Sequence, residues 1–175
     1  MIQKDEQHFQ KWISLPFALA LVGFLFPLLT FSCSEKVIAE PNAYELAIGL
    51  DLEKELGEEE KQVVENMKKE NPKAFEKDPL QLQSMPVLYG IMAAILIAGG
   101  FAFISPVGSL VLGIASLTGL WFFIYRLTDL VKQSQFSFIT VEPHVGAYCV
   151  SMLLIIGISI SIAFLIRPLL HKNKK

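Results

Sequence analysis

Residues 85–125 read MPVLYGIMAAILIAGGFAFISPVGSLVLGIASLTGLWFFIY, a run of 41 residues without Asp, Glu, Lys or Arg. Surface helices of soluble domains keep one polar side, so a charge-free run of this length is not typical of them. A helix rises about 1.5 Å per residue and the hydrocarbon core of a membrane is about 30 Å thick, so the run is long enough for two spans. Ser105 and Pro106 mark the turn between them, which predicts spans over residues 85–105 and 106–125.

Two more charge-free stretches lie outward from this run, at residues 13–32 and 145–166. The sequence therefore predicts an all-α membrane protein built as a four-helix transmembrane bundle. A membrane β-barrel is not indicated, because its strands alternate apolar and polar residues over about ten positions.

Charged residues concentrate in the long segment 33–84, which holds 13 Asp or Glu and 7 Lys of the 175-residue chain. We expect this acidic outer loop to be partly helical. Asn42 and Glu45 have the spacing of a capping box, and Gly49 would end the short helix that follows. Residues 34–39 suggest an extended piece and residues 58–70 a second helix. A shorter outer loop is expected over residues 126–144.

Short basic flanks predict the orientation. The tail 167–175 contains Arg167, Lys172, Lys174 and Lys175 without an acid, and the flank 1–12 contains Lys4 and Lys11. Lys and Arg in short flanks favour the cytoplasmic side, so both termini are expected there and residues 33–84 outside. The interpretation is a multi-pass membrane protein with both termini in the cytoplasm.

The four predicted spans contain no acid, base or histidine, the groups that usually mark ion paths or catalysis inside membranes. We therefore expect a protein that is not an enzyme and has no catalytic residue, no cofactor, no metal site and no nucleic-acid partner. Arg126 and Asp129, three residues apart at the outer end of the third span, are expected to form an interfacial ion pair.

Small residues recur at helical spacing in the spans, which lets helix backbones approach closely. The predicted seam comprises Gly90, Ala94, Ala98, Ala102, Ser109, Gly113, Gly157 and Ser161. Two interpretations stay open, namely packing within the chain and docking of another membrane subunit.

Cys33 and Cys149 are both expected near the outer surface, where an oxidising compartment would allow a disulfide between the first and last spans. Two reduced thiols, or a lipid attached to Cys33, are the alternatives. Pro27 lies inside the first predicted span and is expected to bend its outer third.

The run from Phe26 to Cys33, FPLLTFSC, followed by ELAIG at residues 45–49, resembles the end of the first span in a group of small, functionally uncharacterised bacterial four-span membrane proteins. The resemblance covers about 25 residues. It implies a bacterial origin, and with it a location in the bacterial inner membrane, and little else.

The leading functional hypothesis is an accessory or assembly subunit of a larger membrane complex, with membrane lipids and other membrane subunits as partners. It would contact them through the helix seams and the acidic loop. The alternatives are a channel or lipid-handling transporter, and an immunity or sensor protein whose acidic loop binds a basic partner.

Overall fold

The computed structural model describes residues 2–33, 36–51, 61, 65, 69, 81–82, 84–133 and 139–172. Within them the helices are α1 Ile2–Gly23, α2 Ala43–Ile48, α3 Val87–Phe101, α4 Pro106–Gln133 and α5 Val145–Lys172. The strands are β1 Leu29–Cys33, β2 Lys36–Ala39, β3 Leu50–Asp51, β4 Gln81–Leu82 and β5 Ile139–Pro143. The protein is mostly helical, as predicted, but the strands correct the all-α fold class.

A small antiparallel sheet has the strand order β2-β1-β5, and β3 pairs with β4 in a separate two-stranded ribbon. In the register of β1 with β5, Leu29 faces Pro143 and Cys33 faces Ile139. The sheet therefore joins the segment that follows α1 to the segment that precedes α5.

The four long helices contact one another in a ring. Helix α1 packs against α3 and α5, and α4 packs against the same two helices. Each helix turns one stripe inward, with buried residues recurring at intervals of three and four, the period of a helix face. On α1 the stripe is Ile13, Phe17 and Ala20, continued by Phe24 just after the helix, and on α3 it includes Leu88, Ile91, Ile95 and Ala98, continued by Ala102.

Two helices are long and apolar enough to cross a membrane, judged by length and composition: Pro106–Lys132 in α4 and Val145–Ile166 in α5. The apolar parts of the other two, Trp12–Gly23 and Val87–Phe101, are shorter. These two long apolar helices agree with the predicted third and fourth spans in position.

The first predicted span, residues 13–32, is not one helix, and the predicted bend at Pro27 is wrong. Helix α1 ends at Gly23, and the N–H groups of Phe24, Leu25 and Phe26 donate to carbonyls only three residues earlier. Pro27 has no N–H to continue the helix and disfavours helical backbone at the preceding residue. The chain instead becomes extended and forms β1, whose backbone groups pair with β2 and β5.

Other predicted boundaries also shift. The second predicted span, 85–105, is helical over Val87–Phe101 and ends in a tight turn. The third continues past residue 125 to Gln133, because its inward stripe continues through the buried Leu127. The predicted outer loop 126–144 therefore consists largely of this helix end and β5. Helix α5 likewise runs beyond residue 166 to Lys172.

The capping box is confirmed. Asn42 Oδ1 accepts hydrogen bonds from the N–H groups of Tyr44 and Glu45, and Glu45 Oε2 accepts one from the Asn42 N–H at 2.8 Å. Gly49 ends α2 with a φ of 108°, a value that favours glycine. The extended piece expected at 34–39 is present as β2. The predicted helix 58–70 lies mostly outside the described residues, although Lys61, Glu65 and Lys69 have helical backbone.

The link after α1 is held against the start of α5 by backbone hydrogen bonds. The Gly146 N–H donates to the Pro27 carbonyl at 2.8 Å, and the His144 N–H donates to the Leu28 carbonyl at 3.0 Å. A Cβ atom at Gly146 would lie 2.5 Å from the Pro27 oxygen and 2.8 Å from the Phe26 oxygen. This close approach requires glycine at position 146.

Gly146→Ala should therefore lower the stability of the fold. Both obstructing atoms belong to the backbone, so the link must move and its hydrogen bonds must lengthen. We expect a loss of about 1–3 kcal/mol, the usual range for overpacking, measured as thermal unfolding in detergent by circular dichroism.

The matched control is Gly90→Ala, also in the first turns of a helix, where no atom lies within 4 Å of an added Cβ. Equal unfolding temperatures for the two variants would contradict the close approach at Gly146.

Candidate functional site

Phe17 lies at the centre of the ring of helices. Its side chain is fully buried. It projects from α1 towards glycines on each of the other three long helices, Gly99 on α3, Gly113 on α4 and Gly157 on α5. We call Phe17 and these three glycines the Phe17 hub.

The hub packs tightly around its glycines, most tightly at Gly157. A Cβ atom at Gly157 would lie 2.9 Å from the Phe17 ring, and one at Gly113 would lie 3.2 Å from the same ring and 3.1 Å from Ile158. At Gly99 the nearest atom would be Phe17 Cβ at 3.3 Å. The Phe17 side chain thus packs closely against the other three long helices, and close-packed interiors respond even to one added methyl group.

Most of the predicted small-residue seam lies inside the ring. Ala98, Ala102, Ser109, Gly113, Gly157 and Ser161 are buried within the chain, whereas Ala94 is half-buried and Gly90 is exposed. For these six residues, burial favours packing within the chain over docking of another subunit. Among the described residues, the Ser109 hydroxyl is buried without a hydrogen-bond partner.

Gly157→Ala should destabilise the protein through the Phe17 ring. An added methyl group must displace either the ring or helix α5, at a cost of about 1–3 kcal/mol. The control is Gly119→Ala, also in the middle of a helix, where the nearest atom to an added Cβ lies 3.6 Å away. Both substitutions replace glycine with alanine inside a helix, so the comparison of their unfolding temperatures cancels the gain in helix propensity. A Gly157→Ala variant as stable as the control would contradict the tight packing of the hub.

Three polar residues, His144 just before α5 and Tyr148 and Ser151 in its first turns, follow one another at helical spacing. Trp121 of α4 donates from Nε1 to Ser151 Oγ at 3.0 Å, and Ser151 donates in turn to the Ala147 carbonyl at 2.7 Å. The Trp121 and Tyr148 rings meet edge to face with centroids 6.0 Å apart. Polar and aromatic contacts therefore link α4 and α5.

His144 also contacts the sheet. Its Nδ1 lies 2.8 Å from Thr30 Oγ1, and both residues are half-buried. A hydroxyl hydrogen-bonded to an imidazole is the first element of a nucleophile–base pair. Such a pair also needs a group that orients the histidine, and among the described residues no carboxylate contacts His144. What the geometry provides is a link between β1 and the start of α5.

The two cysteines do not form the predicted bridge, because Cys149 is a free, half-buried thiol. Cys33 lies four residues along β1 from Leu29, the residue paired with Pro143 beside the start of α5. At about 3.3 Å per residue this places it about 13 Å from the junction, whereas Cys149 lies one turn inside the helix. A disulfide needs Cα atoms within about 4.4–6.8 Å.

The predicted ion pair and the charged groups give no further site. Arg126 is exposed and Asp129 half-buried, one turn apart on α4, and their pairing stays a prediction. No three His, Cys, Asp or Glu side chains lie together in a metal-binding arrangement within the part of the chain that the structure describes.

An apolar groove lies between α1 and α3 on the outside of the ring. Its volume is about 240 Å³. Its floor is formed by Phe17 and Gly99, so the groove adjoins the hub. The other lining residues are Ser14, Ala18, Leu21, Ile95, Leu96 and Phe103.

Sequence reasoning did not find the Phe17 hub, the close approach at Gly146 or the link from Thr30 to His144. Gly113 and Gly157 stand out in the sequence as small residues, but nothing in it shows that both face one phenylalanine among 13. Thr30 and His144 are 114 residues apart, and each is an ordinary residue in its local segment.

Comparisons with protein-family models, curated proteins and solved structures give no match.

Proposed function

We propose that the protein is a non-enzymatic, four-span protein of a bacterial inner membrane that serves as an accessory or assembly subunit of a larger membrane complex. The membrane location is supported by the apolar surface that the four long helices turn outward, away from the core. In an 18-residue apolar stretch of each helix, only 33% of the residues of α4 and 28% of those of α5 are buried inside the chain. A core helix of a soluble protein is mostly buried, so these outward faces need another apolar environment.

The outward side chains support the same proposal for all four helices. Large apolar residues are exposed on each, including Leu15 and Leu19 on α1, Leu96 and Ile97 on α3, Val111 and Phe122 on α4, and Met152 and Ile155 on α5. The buried hydroxyls of Ser116, Ser151 and Ser161 donate to carbonyls four residues earlier in their own helices. Hydroxyls satisfied in this way need no water inside a membrane.

Distances along the helices support a common outer boundary. The Phe17 hub supplies one level at which all four helices meet. At about 1.5 Å per residue, Val87 lies about 18 Å from Gly99, Val145 about 18 Å from Gly157, and Arg126 about 20 Å from Gly113. The starts of α3 and α5 therefore lie at nearly the same level as Arg126, the first charged residue of α4.

Distances along the helices from the Phe17 hub also locate the inner boundary. Lys11 lies about 9 Å from Phe17, Pro106 about 11 Å from Gly113, and Arg167 about 15 Å from Gly157, all in the opposite direction. The charge-free layer is then about 27–33 Å thick, which matches the hydrocarbon core of a bilayer. Although α3 is short as a helix, its turn to α4 reaches the inner boundary.

The proposed topology has both termini in the cytoplasm and residues 33–84 outside. A reporter that fluoresces only in the cytoplasm should be bright when fused after Lys175 and dark when inserted at Glu60. The opposite pattern would overturn the orientation, and two bright fusions would overturn the four-span plan.

For the accessory role, the structure leaves one face of α3 with small outward residues: Gly90, Ala93 and Gly100 are exposed, and Gly90 and Gly100 have no atom within 4 Å of an added Cβ. They lie on one side of the helix together with the exposed Ile97. Small residues that face outward allow a helix of another subunit to approach closely. We assign the partner contact to this face in place of the buried seam.

The test is purification in mild detergent at native expression. We expect a partner in stoichiometric amount, and we expect Gly90→Leu to release it without a change in unfolding temperature. Leu96→Ala, which removes bulk from the neighbouring outward surface, is the control and should retain the partner. A lone monomer under the same conditions would contradict the accessory role.

The lipid-handling alternative has one specific observation in its favour, the apolar groove between α1 and α3. Its walls are apolar apart from Ser14, as an acyl chain requires. Extraction of the same purified material and analysis for lipid at a fixed ratio to protein would favour this second candidate over the first.

A further inference from the structure

The turn between α3 and α4 carries several large apolar side chains that are exposed. Phe101, Phe103, Ile104 and Val107 are all exposed, and Ile104 reaches 79%. We call residues 101–107 the hairpin tip. The nearest charged residues in sequence are Asp78 and Arg126, so the tip lacks the Lys or Arg expected of a short cytoplasmic loop.

The N–H groups of the tip are hydrogen-bonded to the end of α3. Ala102 donates to the Ala98 carbonyl at 3.1 Å, Phe103 to the Gly100 carbonyl at 3.2 Å, and Ile104 and Ser105 to the Phe101 carbonyl at 2.9 and 2.7 Å. Pro106 has no N–H. The Ser105 side chain and carbonyl then accept from Gly108 and Ser109, which caps the first turn of α4. Internal pairing of this kind is what a water-poor environment demands.

The tip is also held in one shape by packing. A Cβ atom at Gly108 would lie 2.8 Å from Phe101 Cδ1, so the Phe101 ring lies directly on the backbone of α4. This contact joins the end of α3 to the start of α4. Phe103 and Ile104 remain exposed beside this contact.

We propose that the hairpin tip is a membrane anchor, in which Phe103 and Ile104 insert into the inner leaflet at the boundary between headgroups and acyl chains. The inference rests on the proposed four-span arrangement, which puts Pro106 between the levels of Lys11 and Arg167. Apolar side chains at that boundary gain from leaving water, and the bonded backbone lowers the cost of insertion. A partner at the inner surface would then contact the terminal segments 1–12 and 167–175, because the turn between α3 and α4 lies in the membrane.

The test uses single cysteines labelled with an environment-sensitive fluorophore, in the full chain carrying Cys33→Ser and Cys149→Ser and reconstituted in phosphatidylcholine–phosphatidylglycerol vesicles. Ile104→Cys reports on the tip. Leu96→Cys reports on the outward face of α3 about 5 Å above Gly99, and Glu142→Cys reports on exposed β5. Quenchers are lipids with a nitroxide near the headgroup or near the end of the acyl chain, and a water-soluble ion.

We expect the label at Ile104 to be quenched several-fold more by the shallow nitroxide than by the aqueous ion, the label at Leu96 most by the deep nitroxide, and the label at Glu142 most by the ion. Aqueous quenching at Ile104 equal to that at Glu142 would overturn the anchor, as would an Ile104 label that no quencher reaches because protein covers it. If the Leu96 label also escapes both lipid quenchers, the four-span proposal itself fails. Circular dichroism of each variant verifies that it is folded.

Discussion

The Phe17 ring fills the space where four helices meet, and the positions of those helices depend on it. Gly99, Gly113 and Gly157 let three backbones approach a single aromatic side chain, and an added Cβ atom would lie 2.9 Å from the ring at Gly157 and 3.2 Å from it at Gly113. Because the three glycine contacts involve one side chain, they relate the heights of the helices as well as their spacing. The match between the charge-free layer and the thickness of a bilayer follows from those heights. The groove between α1 and α3 has the same origin, since Phe17 and Gly99 form its floor.

A second constraint lies at the opposite end of the ring from the hairpin tip, where the link after α1 meets the start of α5. Gly146 permits a backbone contact that no other residue allows, and β1 then adds its pairing with β5. The Thr30–His144 hydrogen bond and the Trp121–Ser151 hydrogen bond lie at this same end. Polar contacts hold the helices together at one end, the Phe17 side chain packs between them near the middle, and an apolar turn joins α3 to α4 at the other end.

The mostly helical fold and the positions of the long helices could be predicted from the charge-free stretches, because their signal is the composition of long segments. The capping box at Asn42 could also be predicted, since its chemistry is contained in four residues. The end of α1 could not. Residues 24–32 are apolar enough for a span, but β1 at residues 29–33 pairs with the adjacent β2 and with β5, which lies more than 100 positions away. The Phe17 hub was missed for a related reason, because a helical pattern shows which residues share a face and not which face meets which neighbour.

The most direct test of the hub is a double-mutant cycle between Phe17 and Gly157, with thermal unfolding in detergent as the readout. If the ring occupies the space beside Gly157, the destabilisation caused by Gly157→Ala should largely disappear in a Phe17→Ala background, because the cavity left by the ring accommodates the new methyl group. The free energies of the two single variants would then be clearly non-additive, as is expected for residues in contact. Additive effects of the two substitutions would show that Phe17 and Gly157 do not touch, and would contradict the packing on which this account of the structure depends.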